Sequence, residues 1–238
     1  MYKVKRAIVM AAGMGKRMQP VTLETPKPLV KVNGKRMIDT AIEALHENGI
    51  YEIYVVVGYL KEQFKVLEEE YEGLKLIDNP YYDTCNNISS LYVARDYLED
   101  VIILDGDQII FNKDILSSEF ERSGYNAIWS YGPTNEWILT LNDDIVVSCS
   151  RSGADKGWQL FSVSRWNKED GNKLKRHLEI EFEEKKNHQV YWDDVALFCY
   201  PSEYKLGIKE MSKGDILEID DFDELVNVDP SYSLYKGE

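Results

Sequence analysis

A doubly wound, Rossmann-like α/β fold, with a mainly parallel sheet and an antiparallel β-rich extension, is predicted by the order of the apolar segments. Short apolar runs at 6–12, 53–57, 74–77 and 101–104 alternate with longer stretches of helical periodicity. The runs 6–12, 53–57 and 101–104 lack polar alternation, as strands buried on both faces do. Beyond about residue 125 the pattern becomes alternating polar and apolar residues punctuated by turns.

The run 6–12 ends at glycines and predicts a central strand. Met37, Ile38, Ala41, Ile42 and Leu45 recur at helical spacing in 36–48, where Asn48 and Gly49 supply a stop. A second strand at 53–57, a charged helix at 60–72 and a third strand at 74–77 follow, before a loop through Pro80. A helix from about 89 to 98 leads to the fourth strand, 101–104, which stops at Asp105-Gly106-Asp107. Ligands of such sheets bind at the carboxyl ends of the strands. Turn signals at Gly132-Pro133, Asn142-Asp143 and Ser152-Gly153 divide 125–166 into an antiparallel extension or lid. Residues 168–186 read as a charged helix solvated on the surface, and 215–220 as a strand.

A chain of 238 residues can bury a sizeable core, and 44% hydrophobic against 29% charged residues is the balance of a folded soluble protein. The formal net charge of -14 repels a phosphate backbone, so no nucleic-acid partner is expected. No segment has the apolar length of a membrane span, and the short stretch after Met1 lacks the pattern of a signal peptide. Cys85, Cys149 and Cys199 form no paired motif, which suits a reducing, cytoplasmic compartment. His46, His177 and His188 show no ligand spacing. Lys16, Arg17, Lys27, Lys31, Lys35 and Arg36 cluster early, a basic patch suited to a small anion.

Within that patch, Ala11-Ala12-Gly13-Met14-Gly15-Lys16-Arg17 places glycines and cations where a strand ends, so its backbone can wrap a phosphate. It fits neither the P-loop, which needs GxxxxGK followed by Ser or Thr, nor the dinucleotide fingerprint, which needs glycine at Met18. Farther on, Thr25-Pro26-Lys27-Pro28-Leu29 frames a lysine between prolines that restrict its backbone. The acids of Asp105-Gly106-Asp107 stand two apart at a strand end and can share Mg²⁺. In Glu218-Ile219-Asp220 the same spacing puts both acids on one face. Asn86-Asn87-Ile88-Ser89-Ser90 offers amides to a pyrimidine edge and caps the next helix. Asn135-Glu136-Trp137 and Tyr191-Trp192-Asp193-Asp194 set rings beside carboxylates, which suits a cation.

The run 11–17 followed by Thr25-Pro26-Lys27-Pro28-Leu29 resembles the signature of nucleotidyltransferases that activate sugar phosphates and small alcohol phosphates. With Val57-Gly58-Tyr59-Leu60-Lys61-Glu62-Gln63-Phe64, Asn86-Asn87, Asn135-Glu136-Trp137, Tyr191-Trp192-Asp193 and Glu218-Ile219-Asp220, the chain is similar over most of its length to bacterial choline-phosphate cytidylyltransferases. It departs from them at Gly106 and Gln108, where they carry Ala and Asn, and in the segment 228–238. The resemblance implies one domain, 1–238, with a nucleotide-binding core at 1–124 and an acceptor-binding subdomain, lid and second metal carboxylate at 125–238. It implies that Arg17 and Lys27 are catalytic and that Asp107 and Asp220 hold Mg²⁺. Nucleotide contacts are expected from Ala11, Ala12, Gly13, Met14, Gly15, Lys16, Arg17, Tyr59, Asn86, Asn87, Ser89 and Asp105. Acceptor contacts are expected from Glu136, Trp137, Tyr191, Trp192, Asp193 and Glu218. The partners would be CTP and phosphocholine, handled by a monomer or homodimer.

The implied reaction is in-line attack of a phosphate oxygen on the α-phosphorus of CTP. That nucleophile is already anionic at neutral pH, its second pKa being about 6, so no catalytic His or Cys is required. Rival acceptors are 2-aminoethylphosphonate, whose primary amine would use Glu136, Asp193 and Asp194, and a sugar 1-phosphate. Outside this class stand a DxD glycosyltransferase, which leaves Lys27 without a purpose, and a non-catalytic nucleotide-binding module.

Overall fold

In the computed structural model, which describes residues 1–237, a nine-stranded sheet organises the chain. Of the expected domain 1–238, only Glu238 lies outside the described residues. Strands β1 (Arg6–Ala11), β2 (Glu52–Val57), β3 (Leu74–Asp78) and β4 (Val101–Asp105) are parallel and lie in the order β3-β2-β1-β4. This confirms the doubly wound class. The order reverses between β1 and β4, so the crevice beyond their carboxyl ends is the natural ligand position.

The absence of polar alternation in β1, β2 and β4 has a direct packing reason. Ala7, Val9 and Ala11 enter one hydrophobic cluster with Ile38, Ile42, Leu45, Val55 and Leu104. Ile8 and Met10 enter the other with Val56, Ile103, Leu178, Trp166 and Trp192. Successive side chains point to opposite faces, and both faces are covered. Helix α1 (Met37–Glu47) covers the first by burying Ile38, Ala41, Ile42 and Leu45, each larger aliphatic contributing about 1.5–3 kcal/mol of burial.

The second half continues the same sheet with antiparallel pairing. After the short strand β5 (Gln108–Ile110), strands β6 (Gly124–Ser130), β7 (Ile138–Asn142), β8 (Ile145–Ser150) and β9 (Gly157–Trp166) follow. β9 pairs with β4, β7 and β6, and β8 pairs with β7, which joins the expected extension directly to the core.

The segment 168–186 corrects its solvated reading. Helix α2 (Lys168–Glu179) and the π-helical turn Ile180–Glu184 bury Leu174, His177, Leu178, Glu181 and Phe182. Leu174, Leu178 and Phe182 recur every four residues and form one stripe, which the abundant charges conceal in the sequence. Buried Glu181 is paired with Lys185 at 2.6 Å and accepts from Asn187 at 2.9 Å. Among the described residues no helix is long and apolar enough to cross a membrane.

Candidate active site

The early loop leaves β1 into the crevice and folds back on itself. Gly15 adopts φ +60 in the left-handed region, and its carbonyl accepts from the Thr22 hydroxyl at 2.8 Å and the Met18 amide at 2.9 Å. A Cβ at Gly15 would stand 3.0 Å from both Lys27 Cβ and Thr22 Cγ2, so the glycine lets the loop close onto the lysine. At Gly13 a Cβ would meet nothing within 4 Å, which leaves its backbone open on that side.

Lys27 occupies the centre. Its side chain is only 9% exposed, and Nζ lies 2.6 Å from Asp107 and 3.4 Å from Asp220. Arg17 reaches the same Asp220 oxygen at 2.9 Å. The loop, Lys27, Pro28, Asp107 and Asp220 line one cleft of about 320 Å³. Four residues drawn from distant parts of the chain therefore converge. Burial by itself would lower the Lys27 pKa, but Asp107, then Asp220 and Glu218, more than offset it and hold the ammonium charged.

Asp105 and Glu218 lie at strand ends as expected, while Asp107 and Asp220 lie just beyond them. Asp105 closes β4, whereas Asp107 is delivered by a turn at Gly106, whose amide donates to Met10 O at 2.9 Å. Strand β11 (Ile216–Glu218), which follows β10 (Gly207–Glu210), pairs antiparallel with β5 and sets Glu218 opposite Gln108. Asp220 lies past the end of β11, its amide bonded to Glu224 at 2.6 Å. Burial raises the pKa of Asp105 and Glu218 well above the carboxylate range, and Asp107 pushes both further. Asp105 also feels Asp193, which ties the cleft electrostatically to the acceptor side.

The residues expected to read the base take different positions. Tyr59 lies beside the loop, with its amide bonded to Ala12 O at 3.1 Å and its hydroxyl to Leu23 O at 3.3 Å. Asn86 donates from its backbone to His188 O at 2.8 Å and from Nδ2 to Gln189 O at 3.1 Å, while Asn87 Oδ1 accepts from Trp192 N at 2.9 Å. The asparagines thus fasten the loop that carries the acceptor residues. Ser89 is a correction: it is 1% exposed, its hydroxyl donating to Asn86 O and accepting from Asn79 Nδ2, so it braces the loop from behind.

On the acceptor side Trp192 is likewise corrected. It is 1% exposed and packs among Tyr125 and Trp166, which makes it a core ring without a free face for a ligand. Trp137 and Tyr191 do meet, edge to face at 5.7 Å, and Phe198 meets Trp137 in the same way at 5.7 Å. Arg151 completes this group by pairing with buried Asp194. Phe198 and Arg151 carried no sequence signal, because the π-helical turn Val195–Cys199 and the turn after β8 meet only in the folded chain. Glu136 is exposed in the turn before Trp137. Burial raises Asp193 to about 7, with Asp194 adding and the Tyr125 hydroxyl opposing.

The model of the MobA-like NTP transferase domain matches residues 7–161. Over 229 residues the chain is 39% identical to a 2-aminoethylphosphonate cytidylyltransferase of Lancefieldella rimae, covering 95% of this chain and 92% of that protein. It is 35% identical over 215 residues to a choline-phosphate cytidylyltransferase of Streptococcus pneumoniae, covering 90% and 93%. A solved structure of CTP:phosphocholine cytidylyltransferase from Streptococcus pneumoniae superposes with a TM-score of 0.89 at 33% identity, over 96% of this chain and 99% of that one.

Proposed function

The chain belongs to the family of MobA-like NTP transferase domains, and we propose that it transfers CMP from CTP to phosphocholine, giving CDP-choline and pyrophosphate. The observation that carries the reading is the convergence of Arg17, Lys27, Asp107 and Asp220 in one cleft beyond β1 and β4. The relatives named for this reaction support the choice of CTP and of a cationic acceptor.

The glycine loop, Ala11 to Arg17, receives the triphosphate, and Tyr59, Asn86, Asn87 and Asp105 are assigned to the nucleotide end. An acceptor phosphate oxygen attacks the α-phosphorus in line, the bond to the bridging oxygen breaks, and pyrophosphate leaves. Holding the reactants in line converts the encounter into an effectively unimolecular step. Lys27 and Arg17 stabilise the negative charge that accumulates between the reacting phosphates. No proton has to leave the nucleophile, whose second pKa is about 6.

The cleft has the chemistry of a hard cation site. Asp107 and Asp220 flank Lys27, and Asp107 Oδ1 is buried with no hydrogen-bond partner among the described residues. Mg²⁺ commonly uses one or two carboxylates and completes its shell with waters and substrate phosphates. Asp107 and Asp220 would hold it, and when bound it would neutralise polyphosphate charge. Glu136, Trp137, Tyr191, Asp193 and Glu218 are assigned to the acceptor.

A second reading, 2-aminoethylphosphonate as acceptor, is favoured by the 39% identical relative and by Asp193 and Asp194, which can accept hydrogen bonds from a primary ammonium. Pyrophosphate release should be measured for CTP, UTP, dTTP and ATP against phosphocholine, 2-aminoethylphosphonate and glucose 1-phosphate. Release confined to CTP and highest with phosphocholine is expected. A preference for the phosphonate selects the second reading, and activity confined to the sugar phosphate defeats both.

A further inference from the structure

The ring cluster of Trp137, Tyr191 and Phe198 already contains a cation. Arg151, on the turn after β8, places its guanidinium carbon 4.0 Å from the Phe198 ring centre and 5.5 Å from that of Trp137. One guanidinium nitrogen pairs with Asp194 Oδ1, while Oδ2 of the same carboxylate accepts from the Tyr191 amide at 2.9 Å. Asp194 is 2% exposed, whereas the Arg151 side chain is 48% exposed on a long tether. A buried carboxylate and rings set edge to face are the chemistry that recognises an organic ammonium, and an arginine meets the same demands.

We propose that Trp137, Tyr191, Phe198 and Asp194 form an ammonium-binding site which Arg151 fills in the free enzyme and vacates when a cationic acceptor arrives. The inference rests on the reading of the chain as a cytidylyltransferase for a cationic acceptor and adds the residues that set its acceptor preference. Asp194 would otherwise be left as a buried charge without a cation, and Arg151 satisfies it until the substrate does. A primary ammonium replaces both the ring contacts and the hydrogen bond to Asp194 Oδ1. A quaternary ammonium replaces only the ring contacts, having no N–H to donate. Displacement of Arg151 therefore costs either cation binding energy, and weakening Arg151 alone helps both.

Binding of tetramethylammonium and of methylammonium, followed by tryptophan fluorescence, tests the site apart from catalysis. Arg151→Gln should lower the Kd of both probes by about fivefold or more, because the competing internal cation is gone. Arg151→Lys keeps the charge but loses planar stacking, so it should tighten binding to a smaller degree, and it decides the matter if the Gln variant does not fold. Lys156→Gln removes a charge from the same turn without touching the rings and should leave both Kd values as they are. Unchanged or weaker probe binding in both Arg151 variants, or equal tightening in Lys156→Gln, overturns the proposal. If no acceptor is cytidylylated yet the Arg151 variants bind the probes more tightly, the catalytic reading fails and the ammonium site stands.

Discussion

Lys27 shows how much a single residue's setting can be read before its neighbours are known. Prolines on both sides restrict its backbone, and that framing marks it as a positioned cation in the sequence alone. Its partners were less legible, because Asp107 and Asp220 come from a turn and a loop that only the packed sheet brings together. Lys27→Met should lower kcat about 10²–10³-fold in the pyrophosphate assay, the usual cost of removing one group that stabilises transition-state charge. Turnover within about tenfold of the parent, in a variant shown to be folded by circular dichroism, would remove Lys27 from the catalytic role. The string Tyr191-Trp192-Asp193-Asp194 illustrates the opposite case. Its composition suggests a cation site, yet which ring faces outward depends on the helical turn that begins at Trp192, and that turn sends Trp192 into the core.

At the scale of elements, hydrophobic periodicity located β1, β2 and β4 well because they are buried on both faces and so tolerate almost no polar residue, whereas the edge strand β3 leaves Lys75 and Asp78 exposed. It failed for α2, where charges outnumber the buried stripe. Lys175 pairs with Asp96 at 2.6 Å on the surface, and such a pair contributes little. Leu178, in contrast, is wholly buried in the cluster that includes Trp166 and Trp192. Leu178→Ala should therefore cost about 2–5 kcal/mol in chemical denaturation, against about 0.5 kcal/mol or less for Lys175→Ala. Comparable losses for the two variants would restore the picture of a solvated helix. The acidic motifs lie between these extremes: Asp105-Gly106-Asp107 was placed correctly at a strand end, but as a turn, since Gly106 must pass close to β1.

For the molecule as a whole, which carries a net charge of -14, the buried acid Asp193 makes stability depend on pH. Asp193 has a folded pKa of about 7, burial being the main cause. An unfolded aspartate lies near about 3.9, so the folded state holds the proton more tightly and stability falls as pH rises between these values, then levels off. Asp193→Asn mimics the protonated acid. Its melting temperature relative to the parent should accordingly rise from about pH 4 to about pH 8, and an unchanged difference would show that Asp193 is not held in this way. The sequence by itself determined the alternation of strands and helices, the glycine loop, the framed lysine and the acids, because each rests on local geometry or short-range periodicity. Only the tertiary structure decided that Arg17, Lys27, Asp107 and Asp220 share one cleft, that Trp192 and Ser89 turn inward, and that Arg151 lies over Phe198. Those outcomes depend on contacts between segments far apart in the chain, and the energy of such contacts is set by strand order and packing that no local window of residues contains.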